Sequence, residues 1–286
     1  IKWPSALKFR QEIRVFLLNA DIVHLNHINQ FIIAIWIKLF FPKIKISMHL
    51  RTMPYKNLFS YYQHKLARMF VDSFICITEN EYSHFTNILK DYSVEKNIIF
   101  NSMENIEVNK NKYSYLRKTR KLIVGSYSNY SFYRGTDRII LLASELPKNI
   151  LDNILFVISG DTSISLGDWK RNKYLSGCSD LKDYAKKLGV QSNFLFLGHI
   201  KNTEEVIINS DLTLKLTREF NPWGRDIIES MFYKVPVISI GMYDVFIKNN
   251  YSGILLEDFK VEKLVHLLKV FINNRKSLKI MGNNAK

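Results

Sequence analysis

NPWGRDIIESMFYKVPVISI, residues Asn221 to Ile240, is the stretch from which the architecture of this chain can be predicted first. Pro222 and Gly224 are turn residues. Apolar residues at helical spacing follow them, and VISI after Pro236 suits a buried strand because proline ends a helix. The stretch therefore predicts a tight turn, a short helix and a strand.

The first two turns of this predicted helix carry charged side chains of both signs, at Arg225, Asp226 and Glu229. Free N–H groups at a helix N-terminus bind anions, and the helix dipole adds positive potential there. A carboxylate in the second turn can hydrogen-bond sugar hydroxyls. A phosphate-binding site beside a carboxylate that hydrogen-bonds sugar hydroxyls suggests a nucleotide-sugar site. The alternative is an ordinary amphipathic helix between two strands.

Strand-like runs and helical runs alternate along almost the whole chain. The candidate strands are Ile22–Leu25, Ile44–Met48, Ser73–Thr78, Ile98–Phe100, Leu122–Gly125, Ile154–Ser159, Phe194–Leu197, Leu212–Leu216, Val235–Ile240 and Ile254–Glu257. The candidate helices are Gln30–Phe41, Leu58–Phe70, Glu79–Leu89, Thr136–Leu146, Leu181–Leu188, Thr203–Asn209, Gly224–Tyr233, Val261–Asn273 and Ser277–Ala285. Such alternation predicts an α/β protein with parallel sheets, whose ligands bind at the edge where the strands end.

A polar stretch, Asn105–Lys121, interrupts this alternation with many Asn and Lys residues, one Glu and few apolar residues. A chain of 286 residues exceeds one typical domain and suits two. We therefore predict two domains, residues 1–110 and residues 111–286.

The net charge of +15 is the most unusual bulk property of the chain. It favours anionic partners, namely phosphates, nucleic acid or an acidic membrane surface, although a generally Lys-rich surface would give the same value. The basic run Arg117–Lys121 lacks the interleaved aromatic residues of a nucleic-acid face, so nucleic acid is not an expected partner. The apolar stretch Phe31–Pro42 is too short to span a membrane and predicts a buried helix or, alternatively, an interfacial one. Cys76 and Cys178 have no metal-ligand spacing, which favours buried thiols in a reducing compartment.

Several segments, in order along the chain, resemble landmarks of one enzyme family. They are DIVHLNH at Asp21–His27, ISMH at Ile46–His49, FICITENEYSHF at Phe74–Phe85, IIFNSMENIEV at Ile98–Val108, KLIVGS with RG within Lys121–Gly135, and the segment Asn221–Ile238. Together they resemble the retaining glycosyltransferases of the GT-B fold, family 4 type. The segment departs from the family at Lys234, where a glycine is usual.

The resemblance implies two Rossmann-like domains that face a cleft. Residues 1–110 would form an acceptor-side domain and residues 111–286 a domain that binds a nucleotide-sugar donor. The family's opening strand with its Gly-rich loop, and its final crossing helix, have no counterpart in the sequence. We therefore expect an incomplete N-terminal domain and a chain that is a fragment of a full enzyme.

The resemblance also assigns roles to individual residues. Catalytic roles are implied for His49, at the end of a strand, and for Arg134, Asn221 and Glu229. Arg134 would bind the diphosphate, Asn221 would read the sugar where the family has a glutamate, and Glu229 would bind the ribose. Donor-binding positions, beyond Arg134 and Glu229, are Ser126, Gly135, Gly160, Ile200, Gly224 and Arg225.

Each of these residues also has a purely structural interpretation. Arg134 could be a surface residue at a helix start, and His49 a satisfied core histidine. Asn221 could be a turn residue before Pro222, and Glu229 a solvated carboxylate. Ser126 stands where the family has a second basic residue, so the chain has one cation fewer at the expected diphosphate site. Arg51 and Tyr55 are candidate acceptor contacts.

The expected activity is metal-independent hexosyl transfer, because no paired aspartates of the D-x-D kind are present, and no cofactor is expected. The donor would be a nucleotide-diphosphate sugar and the acceptor a saccharide or a lipid-linked saccharide, in surface polysaccharide biosynthesis. We expect a cytoplasmic protein with peripheral contact to the anionic inner face of the membrane. The alternatives are a non-catalytic nucleotide-sugar-binding or scaffolding protein, favoured by Ser126 and Asn221, and a nucleotide-sugar epimerase of GT-B-like shape.

Overall fold

A computed structural model of the chain describes residues 13–52, 57–103 and 107–285. The chain divides into two compact units between Ser102 and Met103, here called unit 1 and unit 2. The domain boundary expected at residues 110/111 lies within unit 2. Both units are built from parallel strands connected by helices, as the alternation of strand-like and helical runs predicts.

Unit 1 contains a parallel sheet of three strands in the order β1-β2-β3. The strands are β1 (Ile22–Leu25), β2 (Lys45–Leu50) and β3 (Ser73–Cys76). In β2 every second residue, Ile46, Met48 and Leu50, is buried, which is the two-residue period of a strand. These side chains form the core of unit 1 with residues of the helices Phe31–Phe40, Leu58–Phe70 and Glu79–Leu89.

Side-chain caps fix where two of these helices begin. Asn57 accepts a hydrogen bond from the backbone N–H of Ser60, and Thr78 accepts one from that of Asn80. The helix Phe31–Phe40 is only partly buried: Ile37 lies in the core, whereas other apolar side chains of the same helix are exposed. Among all described residues, no helix is long and apolar enough to cross a membrane.

Unit 2 contains a six-stranded parallel sheet in the order β6-β5-β4-β7-β8-β9. The strands are β4 (Leu122–Tyr127), β5 (Ile154–Ser159), β6 (Phe194–Gly198), β7 (Leu212–Lys215), β8 (Val237–Ile240) and β9 (Gly253–Leu256). The helices of this unit are Tyr115–Lys118, Asp137–Ser144, Lys148–Leu151, Leu166–Arg171, Leu181–Lys187, Glu204–Ile207, Arg225–Phe232, Val261–Asn273 and Arg275–Asn284. The chain builds outward from β4 on one side and from β7 on the other, so the strand order reverses between these two neighbours. Open α/β sheets bind their ligands beside such a switch point.

Both faces of this sheet are covered. Leu122 and Val124 of β4 lie in the largest hydrophobic cluster, while Ile123 and Tyr127 of the same strand lie in a second cluster on the other face. All six residues of β4 are buried. A strand that is buried on both faces has a continuous run of apolar residues rather than alternating apolar and polar ones. The residues LIV at the start of β4 form such a run.

Several element bounds differ by one or two residues from the sequence-based expectations, and some larger details differ as well. The predicted strand Ile98–Phe100 is a single bridge between Cys76 and Ile98, and the side chains of Ile99 and Phe100 are 57% and 49% exposed. β8 begins at Val237 rather than Val235, because Pro236 has no N–H for the ladder. Short helices at Tyr115–Lys118, Lys148–Leu151 and Leu166–Arg171 were not predicted.

Lys234 follows the helix Arg225–Phe232 with a backbone φ of 62°. Glycine is the usual residue in this left-handed conformation at a helix end, since a Cβ atom is unfavourable there. Lys234 takes this left-handed conformation although it carries a Cβ atom.

Candidate functional site

A cavity of ≈ 330 Å³ lies at the carboxyl edge of the unit 2 sheet, at the β4–β7 switch point. It is lined by residues that follow β4, β5, β6 and β7 and by the first residues of the helix Arg225–Phe232, here called the site helix. The lining residues are Tyr127, Ser128, Asn129, Arg134, Ser159, Gly160, His199, Ile200, Thr203, Lys215, Gly224, Arg225 and Asp226. Five predicted donor-site residues, Arg134, Gly160, Ile200, Gly224 and Arg225, are among them.

The loop after β4 brings Arg134 to the cavity. Arg134 ends a short 3₁₀ turn, Phe132–Arg134, and its Nη1 donates to the backbone carbonyl of Asn129 at 3.0 Å. Gly135 follows with φ 73°, and a Cβ atom there would lie 2.0 Å from the carbonyl oxygen of Leu216. Gly135 thus lets the turn pack against the end of β7, although it does not itself line the cavity.

The Arg134 turn is anchored by a buried ion pair. Arg218 donates through Nη1 and Nη2 to the two carboxylate oxygens of Asp137, at 2.8 and 2.6 Å. Its Nη1 also donates to the carbonyl of Phe132, and its backbone N–H donates to the carbonyl of Tyr133. The side chains of Arg218 and Asp137 are 17% and 2% exposed. This pair therefore ties the turn that carries Arg134 to the segment after β7.

The ends of β5 and β6 form the opposite wall. Gly160 has φ 116°, and a Cβ atom there would come within 2.7 Å of the backbone of Ser128 and Asn129. The N–H of Gly160 donates to the carbonyl of Gly198 at 2.7 Å, which joins the two strand ends. The hydroxyl of Ser159 is buried without a hydrogen-bond partner among the described residues. An unsatisfied buried hydroxyl beside a cavity is available to a ligand.

Glu229 does not line the cavity, but its side chain contacts two residues that do. Its Oε1 accepts a hydrogen bond from Nε of Arg225 at 2.7 Å, and its Oε2 accepts one from the hydroxyl of Thr203 at 3.2 Å. Burial raises the pKa of Glu229, and the hydrogen bond from Arg225 acts in the opposite direction. Its side chain is 6% exposed, whereas that of Arg225 is 79% exposed. Glu229 thus holds two lining residues by their side chains and is not a solvated surface carboxylate.

A second acid–base pair, Lys215 with Asp226, was not predicted as part of the site. Lys215 ends β7, and its Nζ donates to Oδ1 of Asp226 and to the carbonyl oxygen of Trp223, each at 3.0 Å. The two side chains are 16% and 12% exposed. A lysine at the end of the otherwise uncharged, buried strand LTLK was the sequence signal that could have identified it.

Ser126 and Asn221, like Gly135 and Glu229, are not among the lining residues of the cavity. Ser126 lies inside β4, which continues to Tyr127, and its side chain is buried. Asn221 precedes the buried Trp223, and its Oδ1 is buried without a hydrogen-bond partner among the described residues. An amide oxygen in this state has acceptor capacity that a hydroxyl could use.

His49 lies in unit 1, near the carboxyl end of β2. Its ring packs edge-on against that of His24, with centroids 5.7 Å apart, and its Nε2 has no hydrogen-bond partner among the residues described. Burial, and then the nearby Arg51 and His24, lower the pKa of His49, so its neutral form is favoured. Arg51 donates to Oδ1 of Asn26 at 3.4 Å. Tyr55 lies outside the described residues.

The charges on the cavity wall favour an anion. Three cationic side chains, Arg134, Lys215 and Arg225, line it with one carboxylate, Asp226. The N-terminus of the site helix adds positive potential because its first N–H groups have no partner within the helix. In the part of the chain that the structure describes, no group of three His, Cys, Asp or Glu side chains is arranged to hold a metal ion.

Comparisons with known proteins agree with the α/β fold and with the enzyme family that the sequence resembles. The family model for glycosyl transferases group 1 matches residues 107–286. No curated protein matches the sequence. Among solved structures, Anabaena HepE (Alr3699) with UDP-glucose has a TM-score of 0.75 at 18% identity, over 93% of this chain and 72% of that one.

Two further structures have related folds. Sucrose-phosphate synthase from Thermosynechococcus elongatus has a TM-score of 0.78 at 11% identity, over 97% of this chain and 71% of that one. A TarM variant from S. aureus, crystallised with UDP, has a TM-score of 0.65 at 18% identity, over 87% of this chain and 49% of that one. At these identities the likeness shows the fold, and it confirms the predicted GT-B-type α/β architecture.

Proposed function

The chain belongs to the glycosyl transferases group 1 family, and we propose that it moves a sugar from a nucleotide-diphosphate donor to a saccharide or lipid-linked acceptor in surface polysaccharide assembly. The observation that carries the proposal is the cavity at the β4–β7 switch point of unit 2. Its position, its volume and its three cations suit a nucleotide diphosphate.

The walls of the cavity offer groups for the diphosphate and for the nucleoside of such a donor. Arg134 and the N-terminal N–H groups of the site helix would neutralise the diphosphate, as basic groups and helix ends do for leaving phosphates. The hydroxyl of Ser159 and the backbone around Ile200 would meet the nucleoside. Since HepE was solved with UDP, with UDP and glucose, and with UDP-glucose, a uridine nucleotide is the first donor to test.

We assign sugar recognition to Asn221 and an orienting role to Glu229. The unpartnered Oδ1 of Asn221 can accept a hydrogen bond from a sugar hydroxyl. Glu229 holds Arg225 and Thr203, which line the cavity, so its charge would act on the donor through them. His49 would contact the sugar as a neutral imidazole, a form that its lowered pKa supports.

The reaction would proceed with retention of anomeric configuration and without a metal ion. Retention is implied by the family resemblance, in which the leaving phosphate takes the proton of the acceptor on the same face of the sugar. The lining cations Arg134, Lys215 and Arg225 would carry out the charge neutralisation that a metal ion performs in other transferases. The family resemblance favours a hexose as the transferred sugar.

The acceptor side of the proposal includes peripheral contact with an anionic membrane. The helix Leu58–Phe70 in unit 1 exposes Leu58 by 77% and Phe59 by 69%, and Tyr62 on the next turn is also exposed. Apolar side chains on a chain with a net charge of +15 suit a negatively charged lipid surface. Such contact would bring a lipid-linked acceptor to the enzyme.

A turnover assay tests the proposed function. UDP-, GDP- and ADP-sugars are incubated with the chain and a panel of saccharide and lipid-linked acceptors, and the release of nucleotide diphosphate is measured. NMR of the product reports the anomeric configuration. We expect release from one nucleotide class, dependent on an acceptor and lost in Arg134→Ala. Binding of a nucleotide sugar without turnover against any acceptor would favour the non-catalytic binding protein that Ser126 and Asn221 suggest.

A further inference from the structure

Lys215 is the cation of the donor cavity that neither the family motif nor the helix pattern accounts for. β7 lies next to β4, with Thr213 aligned to Gly125, so Lys215 stands two residues further along at the carboxyl end of the sheet. Ser126, at the position where the family carries a basic residue, is buried and absent from the cavity wall. A positive charge missing on β4 is therefore matched by one present on the neighbouring strand.

The geometry at the start of the site helix accommodates the ammonium group. A Cβ atom on Gly224 would lie 2.4 Å from Nζ of Lys215 and 2.7 Å from Oδ1 of Asp226. The backbone of Gly224 is extended, so its conformation does not require glycine. The absence of a side chain is instead what lets the Lys215–Asp226 pair lie against the first turn of the helix.

The electrostatic environment of Lys215 suits an anionic ligand. A cation beside a helix N-terminus faces the positive end of the helix dipole, which is unfavourable by itself. Arg225 adds a second positive charge to the same wall, where Glu229 pairs with it from behind, and Asp226 is the single carboxylate among the lining residues. An ammonium group has three donor hydrogens, of which Asp226 and the carbonyl of Trp223 take two. Among the described residues no third acceptor contacts it, so one hydrogen remains for a ligand.

We propose that Lys215 is a ligand of the donor's diphosphate and supplies the positive charge that Ser126 does not. Asp226 and Gly224 position its ammonium group at the start of the site helix. The inference rests on the proposed function, since it names a phosphate contact within the same cavity. The competing explanation is that Lys215 only neutralises Asp226 and holds the helix.

Four variants separate these two roles: Lys215→Met, Asp226→Asn, the double variant Lys215→Met/Asp226→Asn, and Lys269→Met. Lys269 lies exposed on the helix Val261–Asn273 and controls for the loss of one surface charge. UDP, GDP and ADP are titrated into the wild-type chain. The tightest of the three, and its nucleoside, are then titrated into each variant, whose folding is checked by circular dichroism.

We expect Lys215→Met to bind the diphosphate roughly 10- to 100-fold more weakly, the loss of one hydrogen bond between charged groups. The affinity for the nucleoside should not change, because it carries no phosphate. The double variant should bind the diphosphate as weakly as Lys215→Met and more weakly than Asp226→Asn, which keeps Lys215. The control Lys269→Met should bind the diphosphate like the wild type.

Two results would overturn the inference without touching the proposed function. One is a Lys215→Met variant that binds the diphosphate like the wild type. The other is a double variant that regains wild-type affinity, since Lys215 would then only compensate Asp226. A wild-type chain that is folded but binds none of the three nucleotides would refute both proposals.

Discussion

Asp137→Asn tests how the buried Arg218–Asp137 pair supports the donor cavity. The two carboxylate oxygens of Asp137 accept hydrogen bonds from Arg218, and Oδ2 accepts a further one from Asn172 at 3.1 Å. An amide at position 137 has the same shape but no charge, and its NH₂ group would face a donor. The guanidinium would remain buried without a counter-ion.

Breaking a buried ion pair by removing one partner costs about 3–5 kcal/mol. Because the Arg218 side chain is 17% exposed, we expect a loss at the lower end of this range, about 3 kcal/mol of unfolding free energy. Urea denaturation followed by circular dichroism and tryptophan fluorescence measures it. Asp258→Asn is the matched control: it breaks the Asp258–Lys260 pair, whose side chains are 52% and 64% exposed, and should cost less than about 1 kcal/mol.

The Arg134 turn provides a second readout for the same variant. The Arg218 guanidinium donates to the carbonyl of Phe132, so its displacement should loosen the turn and weaken nucleotide binding, although the backbone N–H of Arg218 still holds the carbonyl of Tyr133. If Asp137→Asn unfolds within about 1 kcal/mol of the wild type, the pair is not the anchor described here. Stability loss with unchanged nucleotide affinity would show that the anchor does not position Arg134.

Four further predictions follow from named contacts. Gly135→Ala should destabilise the chain more than Gly189→Ala in thermal unfolding, because both glycines have positive φ but only Gly135 would meet a backbone oxygen; equal losses would contradict this. Lys234→Gly should raise the unfolding free energy by about 1 kcal/mol, since glycine tolerates the left-handed backbone; a loss would show that the Lys234 side chain contributes stability. Burial raises the pKa of Glu229 above its ordinary value of 4.5. The stability that its protonated form contributes is therefore lost as pH rises through the folded-state pKa. The free energy of unfolding of Glu229→Gln, relative to that of the wild type, should increase from about pH 4.5 to pH 7; a constant difference would exclude the linkage. Phe59→Ser should reduce sedimentation with phosphatidylglycerol vesicles, while Phe220→Ser, at a similarly exposed phenylalanine of unit 2, should not; equal binding by all three proteins would refute the proposed membrane face.

The elements that could be predicted from the sequence are those with local signals. The helices Leu58–Phe70, Glu79–Leu89 and Val261–Asn273 have the predicted bounds, because apolar periodicity extends over at least three turns in each. The short helix Leu166–Arg171 had a local signal too. Ser165 and Asp168 form a capping box at its start, a four-residue pattern that the periodicity argument overlooked.

Within the candidate site, residues on motifs were predicted and residues that act through tertiary contacts were not. Arg134, Gly224 and Arg225 lie on turns that contain a glycine, and they line the cavity. Arg218 and Asp137 are 81 positions apart, so nothing in either local pattern indicates that they pair. Lys215 was missed because a strand pattern is assigned from its apolar residues, and the one charged residue at its end was not interpreted.

Calorimetric titration of UDP, GDP and ADP into the wild-type chain, Arg134→Ala and Glu229→Ala is the most direct test of the central claim, that the unit 2 cavity binds a nucleotide-diphosphate donor. The account predicts saturable binding of one nucleotide by the wild type. It also predicts weaker binding by both variants, because Arg134 lines the cavity and Glu229 holds Arg225 in its wall. Wild-type affinity in both folded variants would contradict it, because the nucleotide would then bind elsewhere.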